Sequence, residues 1–131
     1  MVKVLIDSSV IVDYTRAGVG AFPQILLQKT SRKAEVYIPT TVILELWAGD
    51  SMTKESEVVK VNRLLAPLKI VDLTKQIAKK AGELVRLGQI DSFQDAAIAA
   101  TALYLDAELA TANKKHFEKV RGLKFFNPQK Q

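Results

Sequence analysis

Short runs of β-branched and aliphatic residues, each stopping at a polar or turn residue, alternate with stretches of helical spacing along the whole chain. This alternation constrains the fold more than any other feature, because strands joined by helices pair in parallel within one sheet. Val2, Val4, Leu5 and Ile6 lead to Asp7 as a buried strand would, and Ser8 and Ser9 offer caps for a helix over residues 10–14. Gly18 and Gly20 interrupt that helix, and helical spacing resumes over residues 22–28. A second strand is predicted at 36–38, closed by Pro39, with Thr40 or Thr41 capping a helix over 42–47 that Gly49 ends. A polar stretch at 50–56 leads to a helix through Leu65, with Glu55 and Glu57 near its positive end, and a strand follows at 68–71. Thr74 opens a long amphipathic helix with Ile77, Ala81, Leu84, Val85 and Gly88 on one side and Lys75, Lys79, Lys80 and Arg86 on the other. A helix over 93–105, a strand at 109–111, a helical turn at 114–120 and a strand at 124–126 complete the pattern. Neither repeats nor a linker divide it, so the expectation is one α/β domain over residues 1–131 with a mainly parallel sheet.

Composition narrows the chemistry. The 131 residues contain no cysteine, which excludes disulfides, thiolate metal sites and cysteine nucleophiles. A metal would have to be held by oxygen or by His116, the single histidine, which otherwise reads as a surface residue near a phosphate at most. No apolar run approaches the ~20 residues of a membrane span, and the start of the chain carries no secretory pattern, so a cytoplasmic protein without a membrane partner is expected. The net charge of +5 suits attraction to a polyanion, with nucleic acid the natural partner. Lys114, Lys115, Lys119, Arg121 and Lys124 crowd the end of the chain with only Glu118 among them, although such a cluster also serves as a plain solvated face.

Three acids stand where chemistry is expected. Ligand sites in open parallel sheets lie outside the carboxyl ends of the strands, and Asp7 ends the first strand, although Asp is also a common turn and cap residue. Glu45 interrupts the apolar run Val42-Ile43-Leu44-Glu45-Leu46-Trp47-Ala48 with no Lys or Arg within a turn of it. Either it faces solvent, or it needs a partner or a metal, since burying a lone carboxylate is costly. Asp95 opens a helix rich in alanine and stands three residues after Ser92 in capping-box spacing. The small residues beyond it allow the helix to pack closely on the sheet and carry Asp95 to the same crevice. Asp91 falls outside that helix and ranks lower. Thr111 ends the strand at 109–111 and Asn113 follows it, although by itself Asn113 reads better as the cap of the helical turn after it. Three carboxylates in one crevice raise one another's pKa unless a cation intervenes. An all-oxygen donor set favours Mg²⁺ or Mn²⁺ over zinc and suits phosphodiester hydrolysis.

These residues resemble the PIN-domain ribonucleases, and within them the VapC-type toxins. The resemblance rests on Val4-Leu5-Ile6-Asp7-Ser8-Ser9, Val42-Ile43-Leu44-Glu45-Leu46, Asp95-Ala96-Ala97-Ile98-Ala99-Ala100-Thr101-Ala102 and Thr111-Ala112-Asn113-Lys114-Lys115-His116-Phe117, in that order across nearly the whole chain. It implies a PIN-like three-layer α/β/α fold, a homodimer, Mg²⁺- or Mn²⁺-dependent endonucleolytic cleavage of RNA, and a cognate antitoxin protein. By position it implies Asp7, Glu45 and Asp95 as the metal-binding acids, with Asn113 in the place where many members carry a fourth acid. That departure removes one charge and puts a second metal in doubt. Ser8 and Thr111 would be supporting residues.

Two other readings compete. A phospho-receiver domain would use Asp7 as a metal acid and Asp72 as phosphoacceptor, but it lacks the adjacent acid after the first strand and leaves Glu45 unexplained. A degenerate PIN domain would bind RNA or a protein without cutting.

Overall fold

The computed structural model describes residues 1–128. Five strands form one parallel sheet in the order β3-β2-β1-β4-β5: β1 (Val2–Ile6), β2 (Ala34–Pro39), β3 (Lys69–Val71), β4 (Glu108–Ala110) and β5 (Lys124–Phe125). Central strands of such a sheet are covered on both faces, and Val4, Leu5 and Ile6 are accordingly all fully buried. Successive strands move outward from β1 to β3, then the chain jumps back across β1 to place β4 on its other side. Because parallel crossovers are right-handed, this reversal assigns the helices of the first half to one face and those of the second half to the other. The result is the expected three-layer α/β/α arrangement, with the sheet wholly rather than mainly parallel.

The helices are α1 (Ser8–Ala17), α2 (Phe22–Thr30), α3 (Thr40–Ala48), α4 (Glu55–Leu65), α5 (Lys75–Arg86) and α6 (Phe93–Leu105). Gly18 ends α1 in the left-handed region at φ 65°, the conformation glycine adopts without steric cost. Thr74 and Ser92 cap α5 and α6 as the sequence predicts, accepting from the backbone N–H of Ile77 and Asp95 at 3.2 and 3.0 Å. Two caps differ from expectation. Asp7 itself caps α1, so Ser8 and Ser9 belong to its first turn, and Pro39 occupies the cap of α3, so Thr40 and Thr41 begin that helix. The turn after β4 is a 3-10 segment, Lys114–His116, shorter than expected.

Residues 96–102 of α6 are buried without a break, which a helix tolerates only inside a protein. Alanine makes this possible by letting α6 lie close to the sheet and to the apolar face of α5, Ile77, Ala81 and Leu84. No helix among the described residues is long and apolar enough to cross a membrane. The strand order also removes the receiver reading: β3 is an edge strand separated from β1 by β2, so exposed Asp72 does not share the crevice with Asp7.

Candidate metal centre

At the carboxyl end of the sheet, the reversal of strand order leaves a crevice between β1 and β4, where ligand sites of open α/β sheets form. Asp7 sits in it at 4% exposure and is held by three donors. Its Oδ1 accepts the Ser8 backbone N–H at 2.7 Å, and its Oδ2 accepts the hydroxyls of Ser9 at 3.1 Å and Thr111 at 2.7 Å. The Ser8 hydroxyl lies 3.4 Å from Asp7 Oδ1 and 3.1 Å from Glu45 Oε2. It has one proton to give, and the shorter contact goes to Glu45. Asp7 Oδ2 is therefore saturated, whereas Oδ1 keeps a free lone pair.

Ser9 and Thr111 also tie the two strand ends together. Ser9 Oγ accepts from the Ala112 N–H and Thr111 Oγ1 from the Asn113 N–H, each at 3.0 Å. With both hydroxyl protons spent on Asp7, each of these hydroxyls donates one hydrogen bond and accepts one.

Glu45 reaches the crevice from α3, which starts directly at the carboxyl end of β2. Its Oε1 is buried without a hydrogen-bond partner among the described residues. Burial pushes the Glu45 carboxyl up from its ordinary pKa, the Ser8 hydroxyl opposes that rise, and the Asp7 and Asp95 carboxylates add to it. Gln94 approaches from α6 and also lowers it, without a bond of good geometry to Oε1. Asp95, in the first turn of α6, is likewise pushed up by burial first and by Asp7 second, while His116 and Ser92 partly offset the rise. His116 Nδ1 stands 3.3 Å from Asp95 Oδ2.

The fold thus brings Asp7, Glu45 and Asp95 within electrostatic reach of one another, with Ser8 and Thr111 bonded into the same cluster. Asn113 lies exposed at its edge and joins it through its backbone N–H. Asp91 lines the outer wall of the cleft beside Asp95. Ser9, Gln94 and the His116 contact to Asp95 are additions that sequence reading did not make. Ser9 was visible only as the second residue of a cap pair.

The residues suit a hard divalent cation in two respects. An orphaned buried carboxylate oxygen needs a partner, and two acids disfavour their charged forms at their present positions, which a cation reverses. Among the described residues no three His, Cys, Asp or Glu side chains close into a coordination cage. A cation that keeps several waters, as Mg²⁺ does, fits such an open acid set.

Comparison with known proteins identifies the family. The PIN domain family model matches residues 4–123. Ribonuclease VapC19 of Mycobacterium tuberculosis is 33% identical over 118 residues, covering 86% of this chain and 90% of that protein. Ribonuclease VapC1 of Methanocaldococcus jannaschii is 29% identical over 129 residues, covering 95% and 88%. Among solved structures, DNA-bound VapBC from Salmonella typhimurium shares the fold with a TM-score of 0.82 and 22% identity, over 98% of this chain and 99% of that one. With a crevice of three acids at the switch point of a five-stranded parallel sheet and a family match over almost its full length, the chain belongs to the PIN-domain family.

Proposed function

We propose that this protein is a divalent-metal-dependent endoribonuclease and the toxin of a toxin–antitoxin pair. The observation that carries the reading is the buried, unpartnered Oε1 of Glu45 beside Asp7 and Asp95. A structural carboxylate would have found a donor, whereas a ligand carboxylate keeps a lone pair for its ion. Relatives named as ribonucleases, and neighbours solved as VapBC complexes, support the substrate class and the protein partner.

In this reading Asp7 through Oδ1, Glu45 and Asp95 hold Mg²⁺ or Mn²⁺. When bound, the ion neutralises the developing phosphate charge and activates water for attack. Ser9 and Thr111 lock the Asp7 carboxylate in one orientation. Ser8 couples Asp7 to Glu45 by holding Glu45 Oε2, and His116 restrains Asp95. Asn113, in place of a fourth acid, would orient a water through its neutral amide and leave the site one charge short for a second ion. Lys115 and Lys119, which share a cleft with Asp95, offer cations to the RNA backbone.

A homodimer is supported by the apolar groove between α5 and α6, where Leu73 and Phe93 stand 46% and 81% exposed. A cytoplasmic location agrees with the RNA substrate. The test is cleavage of a mixed RNA pool with Mg²⁺ or Mn²⁺ against EDTA. Metal-dependent cleavage that Glu45→Gln abolishes supports the reading, and cleavage indifferent to EDTA overturns it.

A further inference from the structure

A second cleft reaches the acid cluster at Glu45 and shares no lining residue with the one beside Asp95. It has a volume of about 320 Å³, within the ~300–1,000 Å³ typical of small-ligand sites, and lies between α1, α3, α4 and the 3-10 turn Asp50–Thr53. The two clefts differ in character. The one beside Asp95 is walled by Lys115, His116 and Lys119, a surface for phosphates. The second contains Glu45 and Glu57 in its wall, is lined on its apolar side by Val12, Leu46, Met52 and Val61, and carries exposed Arg16 and Lys54. Among the described residues neither Arg16 nor Lys54 is in an ion pair, and the Ser51 hydroxyl makes no hydrogen bond.

We propose that this second cleft is a nucleobase subsite that selects which RNA sequence is cut, by holding a base next to the scissile phosphate. The proposal rests on the ribonuclease reading of the acid cluster. Because Glu45 belongs both to that cluster and to the cleft wall, a strand whose phosphate lies at the acids has a neighbouring nucleotide at the cleft. A base presents two apolar faces and a polar edge, and sequence-specific reading of RNA uses unstacked bases of this kind. The apolar side accepts a face, the flexible thioether of Met52 adapts to its outline, and the Ser51 hydroxyl can give or accept one hydrogen bond at its edge. Arg16 and Lys54 complement the phosphates on either side of that base. The cleft beside Asp95, lacking such a lining, binds backbone without choosing sequence.

The experiment is a binding selection on short randomised single-stranded RNA, carried out in an Asp7→Asn background so that bound RNA stays intact. The parent is expected to enrich one base at one position by about tenfold, the discrimination a single pocket contact supplies. Ser51→Tyr, which fills the cleft from an exposed position, and Met52→Ala, which enlarges it, should each flatten or change that enrichment. Lys115→Gln with Lys119→Gln should instead weaken all sequences evenly and reduce the salt slope of binding by about 1.4, the value for two phosphate contacts on a single strand. Absence of enrichment in the parent, or the same profile in both cleft variants, overturns the subsite and leaves the cleft to a protein partner. If Asp7→Asn still cuts the RNA, the reading of the acid cluster fails separately, and the cut ends of the parent and cleft variants then report the base preference directly.

Discussion

Thr111 Oγ1 donates to Asp7 Oδ2 at 2.7 Å, joining the ends of two adjacent parallel strands that lie 104 residues apart in sequence. The bond spans the point where the strand order reverses, so the same contact that closes the crevice also orients the acid inside it. Ser9 is the only other donor to that oxygen among the described residues. Thr111→Val keeps the shape and removes the proton, leaving both Asp7 Oδ2 and the Asn113 N–H short of a partner. It should destabilise the protein by about 1–3 kcal/mol, the cost of leaving the buried Asp7 oxygen short of a donor, and lower cleavage because Asp7 loses its orientation. Thermal unfolding and single-turnover cleavage check the two effects, and Thr111→Ser should restore most of both.

The raised carboxyls of Glu45 and Asp95 give the metal-free protein a pH signature. A carboxyl whose pKa is higher in the folded state binds more protons there than in the unfolded chain. Its contribution to stability is therefore fully present below the unfolded pKa and is lost as pH rises through the raised one. Glu35 and Glu83, lowered by Lys69 and Lys80, act in the opposite direction, so the comparison must be between variants. Melting temperature measured without metal should fall less steeply above the carboxylate range in Glu45→Gln than in the parent. Added Mg²⁺ should protect the parent most at high pH, because the ion and the proton compete for the same oxygens. Equal slopes in parent and variant would contradict the burial and charge account of Glu45.

Packing along α6 is tied to the site at its first turn. Ala99 is fully buried, and Ala99→Leu has nowhere to place three extra carbons without moving the helix. The expected cost is about 1–3 kcal/mol, seen as a lower denaturation midpoint. Because the shift carries Asp95 with it, Mn²⁺ binding by calorimetry should weaken in the folded variant as well.

How much of this was legible in the sequence follows from how local each signal is. The β-branched run ending at Asp7, the caps at Thr74 and Ser92 and the glycine stop at Gly18 depend on neighbours within a turn, and they stand as predicted. Glu45 was legible because a charge in an apolar helix is an anomaly anyone can see in the string. The polar web was not. Ser9 accepts from the Ala112 N–H, 103 residues away, and His116 meets Asp95 only because the 3-10 turn after β4 folds back over the start of α6. The choice of Asp7 over Ser8 as cap was also hidden. Both types cap helices well, and the difference is set by where β1 ends and by the cross-strand bond from the Asp7 N–H to the Ala110 carbonyl.

The most direct measurement is cleavage and binding of the same RNA by the parent and by Asp7→Asn, with Mg²⁺ and with EDTA. The account predicts that cleavage disappears in EDTA and in Asp7→Asn, while RNA binding by the variant stays within about threefold, since lysines and arginines supply most of the affinity for phosphate. Cleavage that persists unchanged in Asp7→Asn would contradict the assignment of the acid crevice as the metal centre.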